Sequence, residues 1–152
     1  MSDTLPIPAH GPDGSFAPGT WVGGRYVVIR EIGAGATGAV YEVHDAVLPE
    51  RRLALKILHT AAASQEEYES QREELRAMVQ VRHPSIIALY DHGLHEGRLY
   101  SVLPLMRGEA LDGRVFPRRE VRRIGVMLAQ ALAAMHEVGL THQDVKPENA
   151  RL

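Results

Sequence analysis

A short polar loop near the end of the chain carries the residue types that phosphoryl transfer requires. It reads His142-Gln143-Asp144-Val145-Lys146-Pro147-Glu148-Asn149. An aspartate such as Asp144 can accept the proton of an attacking hydroxyl, and Asn149, five residues later, can bind a metal ion that bridges nucleotide phosphates. Lys146 can neutralise charge on the transferring group. The spacing predicts a catalytic loop built on Asp144, Lys146 and Asn149, with Asn149 as metal ligand.

A glycine-rich segment earlier in the chain predicts a phosphate-binding loop. It comprises Ile32, Gly33, Ala34, Gly35, Ala36, Thr37 and Gly38, and Val40 follows. Glycines let the backbone approach phosphates with its N–H groups as donors. Dinucleotide-binding folds use a similar pattern, but there the third glycine opens a helix. Here it opens a β-rich stretch, which favours a hairpin lid over a nucleotide; a plain glycine-rich hairpin is the alternative.

Lysine occurs at only two positions. Of the 17 basic residues, 15 are arginine, and the exceptions are Lys56 and Lys146. Arginine is a planar fork and lysine a compact point charge, so a site shaped for one does not accept the other. Lys56 lies on a strand-like run, and we expect it to pair with Glu74 on the next helix and to face nucleotide phosphates. Glu73 is the alternative, but helical spacing favours Glu74 as the residue that faces the core.

Hydrophobic periodicity predicts five strands and two helices. The strands are expected at 26–32, 39–44, 52–58, 86–90 and 98–103, and the helices at 65–81 and 118–138. The second helix has an apolar face of Val121, Ile124, Leu128, Leu132 and Met135. Such a face must be buried. We therefore expect the helix to self-associate, to dock on a separate chain or to be loosely ordered.

Composition limits the possible functions. The net charge of −2 gives no electrostatic case for nucleic acid. Cysteine is absent, which favours a reducing compartment and a cytoplasmic location. No apolar run is long enough to predict a membrane segment. His92 and His95 have ligand-like spacing but no third partner nearby, so we do not expect a zinc site.

On these motifs the chain resembles the protein kinases, and in particular the eukaryotic-like serine/threonine kinases of bacteria. The strand lysine matches as Ala54-Leu55-Lys56 and the catalytic loop as residues 142–149. Lys146-Pro147 is typical of serine/threonine kinases. The resemblance implies an α+β fold: a five-stranded antiparallel sheet with one helix, then the first long helix and catalytic loop of an incomplete helical lobe. The expected divisions are a flexible leader at 1–19, a nucleotide-binding lobe with hinge at 20–106, and the start of the helical lobe at 107–152.

The resemblance also implies ligands and their contacts. The cofactors would be ATP and Mg²⁺, and the partner a protein substrate or a chain that completes the helical lobe. Val40 and Ala54 would pack on the adenine ring. Leu103 resembles the gatekeeper of the hinge, Pro104 would offer its carbonyl, and Met106 its N–H.

Several positions depart from the family pattern. Gln143 replaces an arginine that often pairs with an activation-loop phosphate, Thr37 replaces a larger apolar residue, and Arg151 replaces an apolar one beneath the adenine. The short stretch 111–117 predicts that the helix after the hinge is reduced or missing. No Asp-Phe-Gly occurs in the 152 residues. We therefore expect the chain to bind ATP but to be inactive alone, whether it is a fragment, an interrupted product or half of a split protein.

Two other functions compete with this interpretation. A non-catalytic nucleotide-binding or interaction module would also fit the missing Asp-Phe-Gly. A small-molecule phosphotransferase shares the spacing from Asp144 to Asn149, but Lys146-Pro147 argues against it.

Overall fold

The computed structural model describes residues 15–152, and the chain forms two compact units. The first contains the residues up to Glu67 together with 90–105; the second contains 68–89 and 106–152. Residues 1–14 of the predicted leader lie outside the described part. The units differ from the predicted division at residue 106, because 68–89 group with the second unit.

The first unit is built on an antiparallel sheet of six strands. They are β1 (Trp21–Val22), β2 (Tyr26–Ala34), β3 (Gly38–Asp45), β4 (Arg52–Leu58), β5 (Asp91–His95) and β6 (Arg98–Pro104). The strand order is β1-β2-β3-β4-β6-β5. The predicted count of five was one too low, because the two-residue β1 is too short to give a periodic signal.

The predicted strand at 86–90 is wrong, because the strand lies at Asp91–His95. Its register is fixed by the turn to β6, where His95 pairs with Arg98. The two turn residues, Glu96 and Gly97, both have positive φ, of 51° and 74°. Such two-residue turns match the twist of the flanking strands. The hairpin therefore places Gly93 within β5, although this residue lies between the predicted strands at 86–90 and 98–103.

The core lies on one face of the sheet. In β4, Leu53, Leu55 and Ile57 are buried and alternate with more exposed residues. Phe16 joins this core at 4% exposure, and its N–H donates to the hydroxyl of Tyr41 at 3.1 Å. The predicted flexible leader at 1–19 is therefore wrong at Phe16, because an aromatic ring in this position is buried against the sheet.

Side chains join the two ends of the strand order. The Tyr26 hydroxyl on β2 donates to Asp91 on β5 at 2.5 Å. The N–H of Gly23 donates to Nδ1 of His95 at 3.4 Å. The ring of Tyr100 fills the space beside Gly23, where an added Cβ would lie 2.1 Å from its hydroxyl oxygen. The first two strands thus contact the last hairpin, and the sheet curls upon itself.

Asp45, at the end of β3, is a buried carboxylate. It accepts hydrogen bonds from Arg25, at 3.1 Å to Oδ1 and 2.7 Å to Oδ2, and from the Val47 N–H at 2.9 Å. The bonds from Arg25, more than the one from Val47, hold the pKa of Asp45 below its ordinary 3.8. The carboxylate therefore ties the β1–β2 turn to the β3–β4 connection.

Both helices lie within one residue of their predicted ends. Helix α1 is Gln65–Gln80 and α2 is Arg118–Glu137. At the start of α1, Ser64 Oγ accepts the Glu67 N–H at 3.1 Å, and Glu67 Oε2 accepts the Ala63 N–H at 2.7 Å. Ser64 therefore caps the first turn of α1, and Glu67 reaches back to the residue before Ser64. No helix described in residues 65–80 and 118–137 combines the length and apolarity needed to cross a membrane.

The predicted apolar face of α2 is only partly covered, with half-buried side chains at Ile124, Leu128, Leu132 and Met135. Ala131 is the one buried residue among the 20 of this helix. Val121 on that face is 55% exposed, and Val126 beside it is 50% exposed. Each fully buried Val, Leu, Ile or Met stabilises a fold by about 1.5–3 kcal/mol relative to an exposed one. This helix therefore leaves part of its apolar stabilisation unrealised, chiefly at Val121 and Val126.

Candidate functional site

One face of the sheet brings together four residues that the sequence predicted at a nucleotide. Val40 on β3 pairs with Lys56 on β4, and Ala54 on β4 pairs with Leu103 on β6. Residues two apart on a strand share a face. This face lies opposite the core, because Leu55 and Ile57, which alternate with Ala54 and Lys56, are buried. The structure thus places an aliphatic surface beside a lysine.

Lys56 is available to an anion. Its side chain is exposed, and it has no ion pair or hydrogen bond with the described residues of its own unit. Glu74 lies on α1, in the second unit. The prediction that Glu74 faces the core is wrong, since both Glu73 and Glu74 are exposed and no residue of α1 is buried. Pairing of Lys56 with Glu74 stays a prediction.

The glycine segment forms the turn between β2 and β3. The N–H of Gly35 donates to the carbonyl of Gly38 at 3.0 Å. At Gly38 an added Cβ would lie 2.3 Å from the carbonyl oxygen of Ile57, so only glycine fits between these strands. At Gly33 and Gly35 a Cβ would meet nothing within 4 Å. Gly38 is therefore needed for packing, whereas Gly33 and Gly35 leave the loop surface open.

The remaining loop and hinge residues lie where a ligand can reach them. Ile32 is 38% exposed, and Ala34, Ala36 and Thr37 are exposed. Pro104 ends β6 opposite Leu53, and its missing N–H is tolerated at a strand end. Met106, in the second unit, is 49% exposed. Adenine contacts at Pro104 and Met106 stay predictions.

In the second unit, the structure brings the three predicted catalytic residues together. Lys146 Nζ lies 3.0 Å from Asp144 Oδ2. Asn149 Nδ2 donates to the same oxygen at 2.9 Å and to the Asp144 carbonyl at 2.9 Å. A 3₁₀ turn at Pro147–Asn149 makes this possible, because its tight winding turns Asn149 back toward Asp144. His142 supports the loop by accepting the Asp144 N–H at its carbonyl, 2.8 Å away.

These contacts favour the charged forms of both partners. The Lys146 ammonium, followed by the Asn149 amide, lowers the pKa of Asp144 below its ordinary 3.8. In return, the Asp144 carboxylate raises the pKa of Lys146 above 10.5. At neutral pH, Asp144 is therefore an ionised acceptor held between two donors.

Removing Lys146 is expected to raise the pKa of Asp144. In Lys146→Ala the strongest donor to the carboxylate is lost, so the carboxyl should titrate closer to 3.8 than in the wild type. Carbon-detected NMR titration of the carboxyl measures this. Arg122→Ala, which removes a positive charge from an exposed position on α2, is the control and should leave the titration unchanged. An Asp144 titration that is the same in all three proteins contradicts the observed contact.

The residues fit a divalent cation only in part. Because Asn149 donates through Nδ2, its amide oxygen is left for a metal, and oxygen ligands suit Mg²⁺. Residues 15–152 contain no group of three or more His, Cys, Asp or Glu placed to hold a metal. Magnesium at this loop would therefore depend on phosphate oxygens as well as on Asn149.

Segment 108–111 holds the catalytic loop in place, which the sequence did not indicate. The Leu111 N–H bonds the carbonyls of Pro147 and Ala150, at 3.1 and 2.9 Å. Arg151 donates to the Gly108 carbonyl at 2.8 Å. The described residues form no helix between β6 and α2, which confirms the predicted loss of the helix after the hinge. The backbone of segment 108–111 thus supports the catalytic loop, and these backbone contacts leave no recognisable pattern in the sequence.

Comparison with known proteins agrees with these motifs. The protein kinase domain family matches residues 26–150. The serine/threonine-protein kinase PknE of Mycobacterium tuberculosis is 35% identical over 136 residues, covering 83% of this chain and 23% of PknE. PrkC of Bacillus subtilis is 31% identical over 138 residues, covering 86% of this chain and 21% of PrkC. The chain therefore spans about a fifth of the length of these curated relatives.

A solved structure confirms the predicted fold. The kinase domain of Mycobacterium tuberculosis PknI aligns with a TM-score of 0.77 at 32% identity, covering 91% of this chain and 59% of that domain. The aligned part includes both the sheet and the long helix α2 of this chain, as in the amino-terminal part of a kinase domain. With the family match over residues 26–150, this shows that the chain belongs to the protein kinase domain family, as a partial domain related to bacterial serine/threonine kinases.

Proposed function

We propose that this chain binds ATP with Mg²⁺ and provides the nucleotide-binding and catalytic-loop parts of a serine/threonine protein kinase. The observation that carries the proposal is the shared sheet face of Val40, Ala54, Lys56 and Leu103. An aliphatic surface suits a nucleobase, and a lysine without a partner in its own unit suits a phosphate. Nucleotide binding requires an apolar surface and a charged group side by side, and this face of the sheet carries both.

The catalytic loop supports phosphoryl transfer to a hydroxyl. Asp144, ionised and oriented by two donors, would accept the hydroxyl proton of a protein substrate. Lys146 would neutralise charge on the transferring group, and Asn149 would bind the metal through its amide oxygen. Magnesium, when bound, supplies positive charge that stabilises the phosphates. Each role uses a side chain that the loop already holds within hydrogen-bonding distance of Asp144.

The 152-residue chain is expected to transfer phosphate negligibly by itself. It contains no Asp-Phe-Gly, the segment whose aspartate binds metal in kinases. A non-catalytic nucleotide-binding or interaction module is the second candidate function. The partly exposed face of α2 supports a further proposal, that the helix self-associates or docks on a chain that completes the helical lobe.

One preparation and two measurements test the proposed function. Calorimetric titration with Mg-ATP should show binding, and incubation with radiolabelled ATP and a generic serine/threonine substrate should give only background incorporation. Absence of ATP binding overturns the proposed function. Incorporation that Asp144→Asn abolishes would show that the chain is active alone and would exclude the non-catalytic module.

A further inference from the structure

His59 lies just beyond β4 and is hydrogen-bonded to the glycine loop. Its Nε2 is 2.7 Å from the carbonyl oxygen of Gly35, and its backbone N–H donates to the carbonyl of Thr37 at 3.2 Å. A carbonyl only accepts, so Nε2 carries the hydrogen in this contact. Two carbonyls of the loop are therefore turned toward a single residue on the neighbouring connection.

This contact determines which way the peptide groups of the loop face. In a planar trans peptide the C=O and the following N–H point in opposite directions. When the Gly35 carbonyl is held toward His59, the N–H of Ala36 therefore points away from it. The N–H groups of Ala36 and Thr37 have no hydrogen-bond acceptor among residues 15–152. The loop thus keeps free donors at Ala36 and Thr37, and the Ala36 N–H lies on the side opposite His59.

Without such a contact the peptide has more freedom to turn. Gly35 has no Cβ, and nothing lies within 4 Å of where one would be, so on its Gly35 side the Gly35–Ala36 peptide meets no steric barrier to rotation and only Ala36 restricts it. A rotated peptide would present a carbonyl oxygen in place of an N–H. Backbone N–H groups attract phosphates, whereas carbonyl oxygens repel them. The orientation of this one peptide therefore matters for an anionic ligand.

We propose that His59 is a positioning residue that holds the Gly35–Ala36 peptide with its N–H available to the phosphates of a bound nucleotide. The inference rests on the proposed function, because it presumes that ATP binds at the glycine loop. His59 itself does not contact the nucleotide. It acts through the loop, and its contribution is confined to ligands that carry phosphates.

The test compares His59→Ala, His59→Gln and Thr60→Ala with the wild type. Glutamine can place a donor nitrogen close to the position of Nε2. Thr60 is an exposed neighbour that forms no hydrogen bond or ion pair within residues 15–152, and its variant is the matched control. His59 is exposed, so none of the substitutions removes a core side chain. Affinity for ATP and ADP is measured by calorimetry, adenosine binding by ligand-observed NMR, and loop mobility by amide hydrogen exchange without ligand.

In His59→Ala we expect ATP to bind about 2- to 10-fold more weakly, the range of one modest hydrogen bond. Adenosine binding should not change, exchange at Ala36 and Thr37 should change, and His59→Gln should retain most of the affinity. ATP affinity unaltered in His59→Ala overturns the inference, as does an equal loss for adenosine, which would indicate a general structural role. If the wild type binds no nucleotide, the proposed function fails, and the exchange measurement still shows whether His59 restrains the loop.

Discussion

Replacing Lys56 by alanine is expected to weaken ATP binding by about 10- to 100-fold. A hydrogen bond to a charged group contributes roughly 1.5–3 kcal/mol, and each 1.4 kcal/mol is a factor of ten in affinity. Lys56 is exposed beside Ala54 and opposite Val40, and it has no ion pair with the described residues of its own unit. Its loss should therefore remove a phosphate contact without leaving another charge unpaired there. Calorimetric titration of the wild type and Lys56→Ala with Mg-ATP measures the difference.

Two further variants identify the cause of that loss. Lys56→Arg keeps the charge but replaces a point charge with a planar fork, so binding should be only partly retained. Arg82→Ala removes one positive charge from an exposed residue after α1 and should leave the affinity unchanged. Equal ATP binding by the wild type and Lys56→Ala would show that Lys56 does not contact the phosphates.

The second large effect is expected at Asp45. In Asp45→Asn the acceptor of the two bonds from Arg25 becomes a neutral amide. We therefore expect the free energy of unfolding of the first unit to fall by about 1.5–3 kcal/mol at pH 7. The lower end of this range is favoured because Arg25 is 37% exposed and can turn to solvent. Denaturant unfolding followed by the fluorescence of Trp21, the one tryptophan of the chain, measures the loss.

The difference should also depend on pH. Because the folded-state pKa of Asp45 is lowered, its stabilising effect is fully present above 3.8 and is lost as the pH falls through the folded value. The difference in the free energy of unfolding between the wild type and Asp45→Asn should therefore become smaller below pH 3.8. Asp112→Asn, at an exposed aspartate, is the control and should show neither effect. A difference in the free energy of unfolding that stays constant between pH 7 and pH 3 would contradict the proposed role of the Arg25 bonds.

Local signals in the sequence were sufficient for several features. Ser64 caps the start of α1 and Gly139, whose φ is 77°, follows the end of α2, and both are residue types that mark helix ends in a sequence. The alternation in β4 placed Lys56 on the face opposite the core. The spacing from Asp144 to Asn149 predicted a cluster that the structure forms, because one tight turn is enough to bring these side chains together.

Features that depend on distant partners could not be predicted in the same way. Phe16 belongs to the core because Tyr41 and His95 pack around its ring, and nothing in its own neighbourhood indicates this. The register of β5 is set by the turn at Glu96. The strand was predicted at 86–90 instead because the apolar residues at 86–87 resemble a strand. His59 binds the glycine loop only because β3 and β4 are adjacent.

The curling of the sheet has a consequence for how the first unit is completed during synthesis. Tyr26 and its partner Asp91 are 65 residues apart, and Gly23 and His95 are 72 apart. A growing chain emerges from its amino-terminal end, so β2, β3 and β4 can pair early while these later partners do not yet exist. Until β5 and β6 leave the ribosome, Phe16 and Tyr26 lack part of their surroundings. The first unit therefore cannot be completed until β6 has been made, and helix α1 is synthesised before that happens.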